Sequence, residues 1–193
     1  MSGGPTSRAS RPPPRIHWPW VLTIVRIALV IPVVALTLRE TDASSWFAFA
    51  AFAVAALTDG LDGFAARRYG LVSEAGQQWD PIADKILVLA SMAGLVVVGR
   101  FPLWAAVVIV AREIAVTILR FVASRRGRVF GASKTGKLKT GAQLVAVLLF
   151  ILPRDTVPGW AEVTALWVAV GLTVLSGAQY FARSSSLLGN DAR

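Results

Sequence analysis

The chain reads as an all-α, polytopic membrane protein: six transmembrane helices in one bundle, with a site on the cytoplasmic side. Three observations lead there. Of 193 residues, 55% are hydrophobic and the mean hydropathy is +0.60, whereas soluble domains hold about 45–50% apolar residues. The apolar residues fall in six blocks, each near the roughly 20 residues that a helix needs to cross the hydrocarbon core of a bilayer. No block alternates as a strand would, and only helices satisfy their own backbone in lipid without closing a barrel.

The elements follow in order. Residues 1–18 open with "MSGGPTSRASRPPPR", small, basic and proline-rich, and are expected to be disordered, with no cleavable signal peptide. Six spans follow at Trp20–Leu38, Trp46–Arg67, Pro81–Val98, Leu103–Ser124, Gly136–Leu152 and Trp160–Ala182. Their connections are short, so residues 19–182 form one domain, and 183–193 are a short tail. Trp18, Trp20, Trp46, Trp104 and Trp160 fall near span ends, where interfacial anchors sit.

Charge sets the orientation. The formal net charge is +9, but the basic residues cluster in short loops between apolar blocks, which is the positive-inside bias rather than a nucleic-acid footprint. With the N-terminus in the cytoplasm, the inner segments hold Arg8, Arg11, Arg15, Arg67, Arg68, Arg125, Arg126, Arg128, Lys134, Lys137, Lys139, Arg183 and Arg193. The outer loops hold only Arg39, Arg100 and Arg154. Both termini are then cytoplasmic, and no nucleic-acid partner is expected. The chain has no cysteine, which excludes disulfides, thiolate metal sites and cysteine nucleophiles. Its single histidine, His17, lies in a flanking segment, which argues against histidine catalysis.

The stretch "DGLDGFAARRYGLVSEAGQQWDPIADK", residues 59–85, departs from the apolar pattern. Asp59 and Asp62 are three apart near the end of helix 2 and share a face, beside the small Gly63 and Ala66. Asp80 and Asp84 are four apart at the start of helix 3, and a loop with Gly70 and Gly76 lies between the helices. Simpler readings exist. Asp80-Pro81 suits an N-cap followed by an N1 proline. Asp84 suits a helix N-terminus or a pair with Lys85, Arg67 and Arg68 suit topology signals, and Gly63 and Ala66 suit close packing. These readings do not cover Asp59 and Asp62. A charge at mid-bilayer costs about 2.5–3.5 kcal/mol on insertion scales, and like charges one turn apart repel. Four such carboxylates call for a multivalent cation. An all-oxygen set suits Mg²⁺ or Mn²⁺, which also favour phosphate oxygens and so imply a phosphate-containing substrate.

The pattern Asp59-Gly60-Leu61-Asp62-Gly63-Phe64-Ala65-Ala66-Arg67, then eight residues, Gly76, three residues, Asp80, three residues and Asp84 resembles the signature of the CDP-alcohol phosphotransferases. Every fixed position is present at its spacing. The resemblance covers about residues 19–182 and implies six membrane helices, a homodimer and attack of an alcohol on the β-phosphorus of a CDP-activated lipid or alcohol, with CMP leaving. It implies that Asp59, Asp62 and Asp80 hold divalent metal, Mg²⁺ or Mn²⁺, two ions per site, and that Asp84 assists and is the general base. It further implies that Gly63, Ala66, Arg67 and Gly76 accept the cytidine diphosphate part, with Ser73 assisting.

A second basic group bears on the acceptor. "AREIAVTILR" carries Arg112, Glu113 and Arg120, and "ASKTGKLKTGAQ" carries Lys134, Lys137, Lys139 and Gln143. Arg112 and Arg120, eight apart, are roughly aligned on helix 4. For Arg125, Arg126, Arg128 and Lys134 the topology reading is preferred. Arg112 lies deep in an apolar run, where an arginine faces a cavity or a partner, with Glu113 as local support. A basic cluster near the metal suits an anionic acceptor such as a phosphorylated alcohol. The segments around Arg112, Arg120, Lys137 and Lys139 also resemble those of bacterial phosphatidylglycerophosphate synthases. So does "PWVLTIVRIALVIP", with Thr23 and Arg26 at matching places, although Trp18 stands where an asparagine is common. That resemblance implies CDP-diacylglycerol as donor, sn-glycerol 3-phosphate as acceptor and a bacterial cytoplasmic membrane. The alternatives are the same chemistry with another acceptor, as in cardiolipin synthase or phosphatidylinositol phosphate synthase, or a small cation- or proton-coupled transporter. A transporter's aspartates belong near mid-membrane on broken helices, and these cluster at one side.

Overall fold

A computed structural model of the protein describes the backbone of residues 18–69, 74–125 and 134–188, and the side chains of 24–58, 85–125 and 135–182. Among the described residues there are six α-helices: α1 (Trp18–Thr37), α2 (Asp42–Tyr69), α3 (Glu74–Val97), α4 (Leu103–Arg125), α5 (Lys134–Ile151) and α6 (Gly159–Leu188). The expected helix order therefore holds, and no strand occurs among them.

Local chemistry fixes several boundaries. α2 starts before the expected Trp46 because Thr41 and Ser44 cap it reciprocally. The Ser44 amide donates to Thr41 Oγ1 (3.2 Å) and the Thr41 amide donates to Ser44 Oγ (3.1 Å). Asp42 in the first turn also complements the helix dipole. α3 ends at a glycine in the left-handed region, Gly99 (φ 68°). There the Arg100 amide reaches the Leu95 carbonyl (2.9 Å) and the Gly99 amide the Val96 carbonyl (3.0 Å), the paired bonds of a Schellman cap. α6 runs on to Leu188, so the first part of the expected 183–193 tail is helical. The expected start of helix 3 at Pro81 needs correction. α3 begins at Glu74 and continues through Pro81. Asp80 therefore lies inside a helix and does not cap one, and Gly76 is helical instead of part of a loop. Residues 1–17, Gly70 and Ser73 lie outside the described residues.

α1 packs on α2 and α3, and α6 packs on α4 and α5. Contacts of α3 with α4 and α5, and of α2 with α5, join the two groups. Their common core holds Val33, Phe52, Leu87, Met92, Leu95, Ile109, Val147 and Ile151, and Phe101 meets Phe150 edge to face at 5.0 Å between ring centroids. The outside is apolar too: Ile31, Phe47, Leu57, Val97, Leu103, Ile118, Leu138, Trp160 and Val174 are all at least half exposed. By length and composition, one described stretch, Gly159–Ala182, is long and apolar enough to cross a membrane. The apolar parts of α1, α2 and α3, namely Ile24–Thr37, Asp42–Thr58 and Lys85–Val97, are shorter. α4 and α5 carry Arg112, Glu113, Arg120, Lys137 and Lys139 within their length.

Candidate active site

Two groups of polar residues interrupt the apolar helices. The first is the aspartate motif. Asp59, Asp62, Gly63, Ala66 and Arg67 fall on α2, and Gly76, Asp80 and Asp84 on α3. Asp59 precedes the end of α2 at Tyr69 by ten residues, and Asp84 follows the start of α3 at Glu74 by ten. At 1.5 Å per residue each lies about 15 Å in from its helix end. Asp62 and Asp80, seven and six residues in, both lie about 10 Å from theirs. α2 and α3 are consecutive, so the two aspartate pairs stand at similar distances along their helices from the junction between them. Their side chains lie outside the described residues. Asp80 inside a helix removes the capping explanation that its Asp-Pro sequence offered.

The second group is described atom by atom, and Glu113 of α4 is its centre. This buried carboxylate accepts a hydrogen bond from Lys139 Nζ of α5. Its neighbour Arg112 donates to it through Nη1 at 3.1 Å. Lys85 of α3 lies 3.4 Å from its other oxygen and donates to Thr117 Oγ1 of α4 at 3.0 Å. An isolated charge here would carry a desolvation cost of several kcal/mol, so ions in such a place come paired.

α6 holds the other side of Arg112. Its Nη2 donates to Ser176 Oγ at 2.9 Å, and its guanidinium lies 5.8 Å from the centre of the Tyr180 ring. Gly177 lets the stem pass: a Cβ there would stand 3.2 Å from Arg112 Cγ. A buried polar seam continues inward. Gln143 Nε2 donates to Thr173 Oγ1 (3.0 Å), Thr173 Oγ1 to the Ala169 carbonyl (2.6 Å) and Ser176 Oγ to the Thr173 carbonyl (3.1 Å). Between α3, α4 and α5 a cavity of about 160 Å³ opens onto Lys85, Glu113, Lys139, Thr140 and Gln143.

The expected acceptor residues thus divide. Arg112 and Lys139 meet at Glu113. Arg120 and Lys137 are exposed and lie outside that cluster. Arg26 of α1 is buried, and the Thr23 side chain lies outside the described residues. Lys85 contacts Glu113 and Thr117, and the simpler reading that pairs it with Asp84 falls on a side chain outside the described residues. Lys85, Thr117, Thr173 and Ser176 were not singled out by sequence reasoning, and Glu113 only as local support. The available signal was a polar side chain in the middle of an apolar run. Among the described residues no three acidic or histidine side chains gather as a metal site; the four aspartates lie outside that set.

A second cleft, about 260 Å³, lies at the opposite end of α3 between Gly99, Arg100, Arg154, Asp155 and Glu162. Arg100 pairs with Glu162 at 3.6 Å. Burial holds its guanidinium below the usual arginine value, against the attraction of Glu162. Two cations and two carboxylates balance there, so this end has no net attraction for an anion.

Comparison with known proteins identifies the family. Residues 16–175 match the model of the CDP-alcohol phosphatidyltransferases. The chain belongs to the CDP-alcohol phosphatidyltransferase family. It is 42% identical over 173 residues to a probable phosphatidylglycerophosphate synthase of Mycobacterium tuberculosis, covering 88% of this chain and 82% of that one. It is 45% identical over 136 residues to the CDP-diacylglycerol–glycerol-3-phosphate 3-phosphatidyltransferase of Bacillus subtilis, covering 69% and 70%. The enzyme of that same name in Escherichia coli is 33% identical over 168 residues, covering 84% and 91%. The matched stretch contains the aspartate helices and the Glu113 cluster.

Proposed function

We propose that the protein transfers the phosphatidyl group of CDP-diacylglycerol to sn-glycerol 3-phosphate, giving phosphatidylglycerophosphate and CMP. The observation that carries this reading is the likeness just described: relatives from three bacteria, at 33–45% identity, are named for this one reaction.

The chain's own residues suit the roles. The acceptor hydroxyl oxygen attacks the β-phosphorus of the CDP-lipid. The bond from that phosphorus to the CMP oxygen breaks, and Asp84 takes the hydroxyl proton. Asp59, Asp62, Asp80 and Asp84 form an all-oxygen donor set fit for two Mg²⁺ or Mn²⁺ ions. When bound, such ions neutralise charge on the phosphates and stabilise the leaving oxygen. Gly63, Ala66 and Gly76 leave room for the nucleotide against the helices, with Arg67 and Ser73 as polar partners. Lys139 and Arg112 beside the 160 Å³ cavity supply positive charge for the acceptor's phosphate, and Thr23, Arg26, Arg120 and Lys137 are further candidates.

The reading places the protein as a six-span enzyme of the bacterial cytoplasmic membrane, homodimeric, with both termini and the site facing the cytoplasm. Its apolar exterior supports this, and so does the inward, paired placing of Arg112 and Glu113 on α4, as befits charges within a membrane. The loop charges support the orientation. Lipid tails then stay in the bilayer while the soluble acceptor and CMP exchange with the cytoplasm.

The test is CMP release by the purified protein from CDP-diacylglycerol. sn-Glycerol 3-phosphate, phosphatidylglycerol and inositol phosphate are compared as acceptors, with and without chelation of divalent cations. Turnover with glycerol 3-phosphate that vanishes on chelation and returns with Mg²⁺ or Mn²⁺ is expected. Preference for another acceptor would reassign the substrate, and full activity after exhaustive chelation would remove the metal role.

A further inference from the structure

The Glu113 cluster is unbalanced. Its described side chains are three cations, Lys85, Arg112 and Lys139, around one carboxylate. The excess of two positive charges lies between packed helices, where uncompensated charge is costly. A phosphate monoester carries about −1.5 to −2 charges near pH 7 and would balance it. A phosphodiester carries one charge and a plain alcohol none, so neither would.

The three cations are not equally available. Arg112 is fixed by Glu113, Ser176 and the Tyr180 ring. Lys139 is buried against Glu113. Lys85 is held most loosely: its Glu113 contact is 3.4 Å, its Thr117 bond is to a neutral hydroxyl, and its side chain is 41% exposed at the cavity. It also follows Asp84 directly on α3, so it joins the acceptor cavity to the helix that carries the proposed base.

We propose that Lys85 is a binding residue for the acceptor's phosphate: it leaves Glu113 for the incoming phosphate monoester and makes the site select that class over phosphodiesters and neutral alcohols. Glu113 then keeps Lys139 and Arg112 in place while Lys85 moves. This inference rests on the proposed glycerol 3-phosphate reaction and adds the residue that sets acceptor class.

The experiment measures CMP release by full-length Lys85→Met, Lys85→Gln and Lys85→Arg proteins in detergent. Each substrate is varied in turn, and inorganic phosphate and dimethyl phosphate serve as competing probes. Loss of one charge-assisted contact corresponds to roughly a 10- to 100-fold change. That rise is expected in the KM for glycerol 3-phosphate with Lys85→Met and Lys85→Gln, with little change in the KM for CDP-diacylglycerol. Lys85→Arg should restore most of it. Inorganic phosphate should compete in the wild type more strongly than dimethyl phosphate, and lose that advantage in Lys85→Met. If Lys85→Met does not fold, Lys85→Gln, which keeps a polar though shorter side chain on the side of Thr117, carries the test. Unchanged acceptor KM in a folded neutral variant overturns the inference and leaves the proposed reaction standing. An equal rise for both substrates overturns it as well, by marking a structural role. A wild type that releases no CMP with glycerol 3-phosphate overturns the reaction and the inference together.

Discussion

Glu113→Gln tests whether the polar centre holds the helices as well as the acceptor. Gln keeps the volume and one acceptor oxygen but loses the charge, and its amide turns a donor toward cations. In the native fold the carboxylate joins Lys139 of α5, Arg112 of its own helix, and Lys85 of α3. Lys85 is partly exposed, so its share is about 0–1 kcal/mol, as for surface pairs. Lys139 and Arg112 are screened from water, and removing one partner of a buried pair costs about 3–5 kcal/mol because the other charge is left uncompensated. The expected loss is therefore about 3–5 kcal/mol, read by denaturant unfolding of the purified protein in detergent micelles. Glu113→Gln combined with Lys139→Met separates this cause from a general disturbance. Removing the stranded ammonium should return part of the loss, so the double variant should be less destabilised than the sum of the single changes by about 1–3 kcal/mol. A Glu113→Gln protein within about 0.5 kcal/mol of wild type, or strict additivity in the double variant, would refute the ion cluster as a buried, coupled unit.

Two further tests address the reaction and the packing. Asp84→Asn should lower CMP release by about 10²–10⁴-fold while CDP-diacylglycerol still binds, since Asn cannot take the proton; Asp59→Asn or Asp62→Asn should instead weaken metal and CDP-lipid binding together. Calorimetry and turnover on the same preparations check this, and near-normal turnover in Asp84→Asn would remove it as the base. Gly177→Ala and Gly94→Ala both gain up to about 1 kcal/mol of helix propensity. At Gly177 the new Cβ meets Arg112 Cγ at 3.2 Å, whereas at Gly94 the nearest atom, Val34 Cγ1, is an ordinary 3.6 Å away. Gly94→Ala should be slightly stabilised with unchanged kinetics, and Gly177→Ala should show a several-fold higher acceptor KM with little net change in stability. Equal kinetics for the two would mean that the position of Arg112 does not matter to the acceptor.

The sequence by itself determined the number and order of helices, because long apolar runs without alternation leave the backbone one way to satisfy its hydrogen bonds. It also determined the aspartate signature, since residue type and helical spacing alone bring Asp59 with Asp62, and Asp80 with Asp84, onto shared faces. Its start for helix 3 was off because Asp80-Pro81 has the local chemistry of a helix start; the helix instead continues from Glu74 through the proline. Only the tertiary structure decided which cations gather at Glu113. Arg112 and Lys139 turn inward to Glu113, while Arg120 and Lys137 face out, and Lys85 arrives from a third helix. Spacing gave part of this: Lys137 and Lys139, two apart, are about 200° around a helix of 3.6 residues per turn. What spacing could not give is which side faces in. In a soluble helix a polar face marks the outside, but here Ile118 and Val174 outside are as apolar as Ile109 and Val170 inside. With both surfaces oily, the rotation of each helix is fixed by packing and by where buried charges find counter-charges, and those are contacts between residues far apart in the chain.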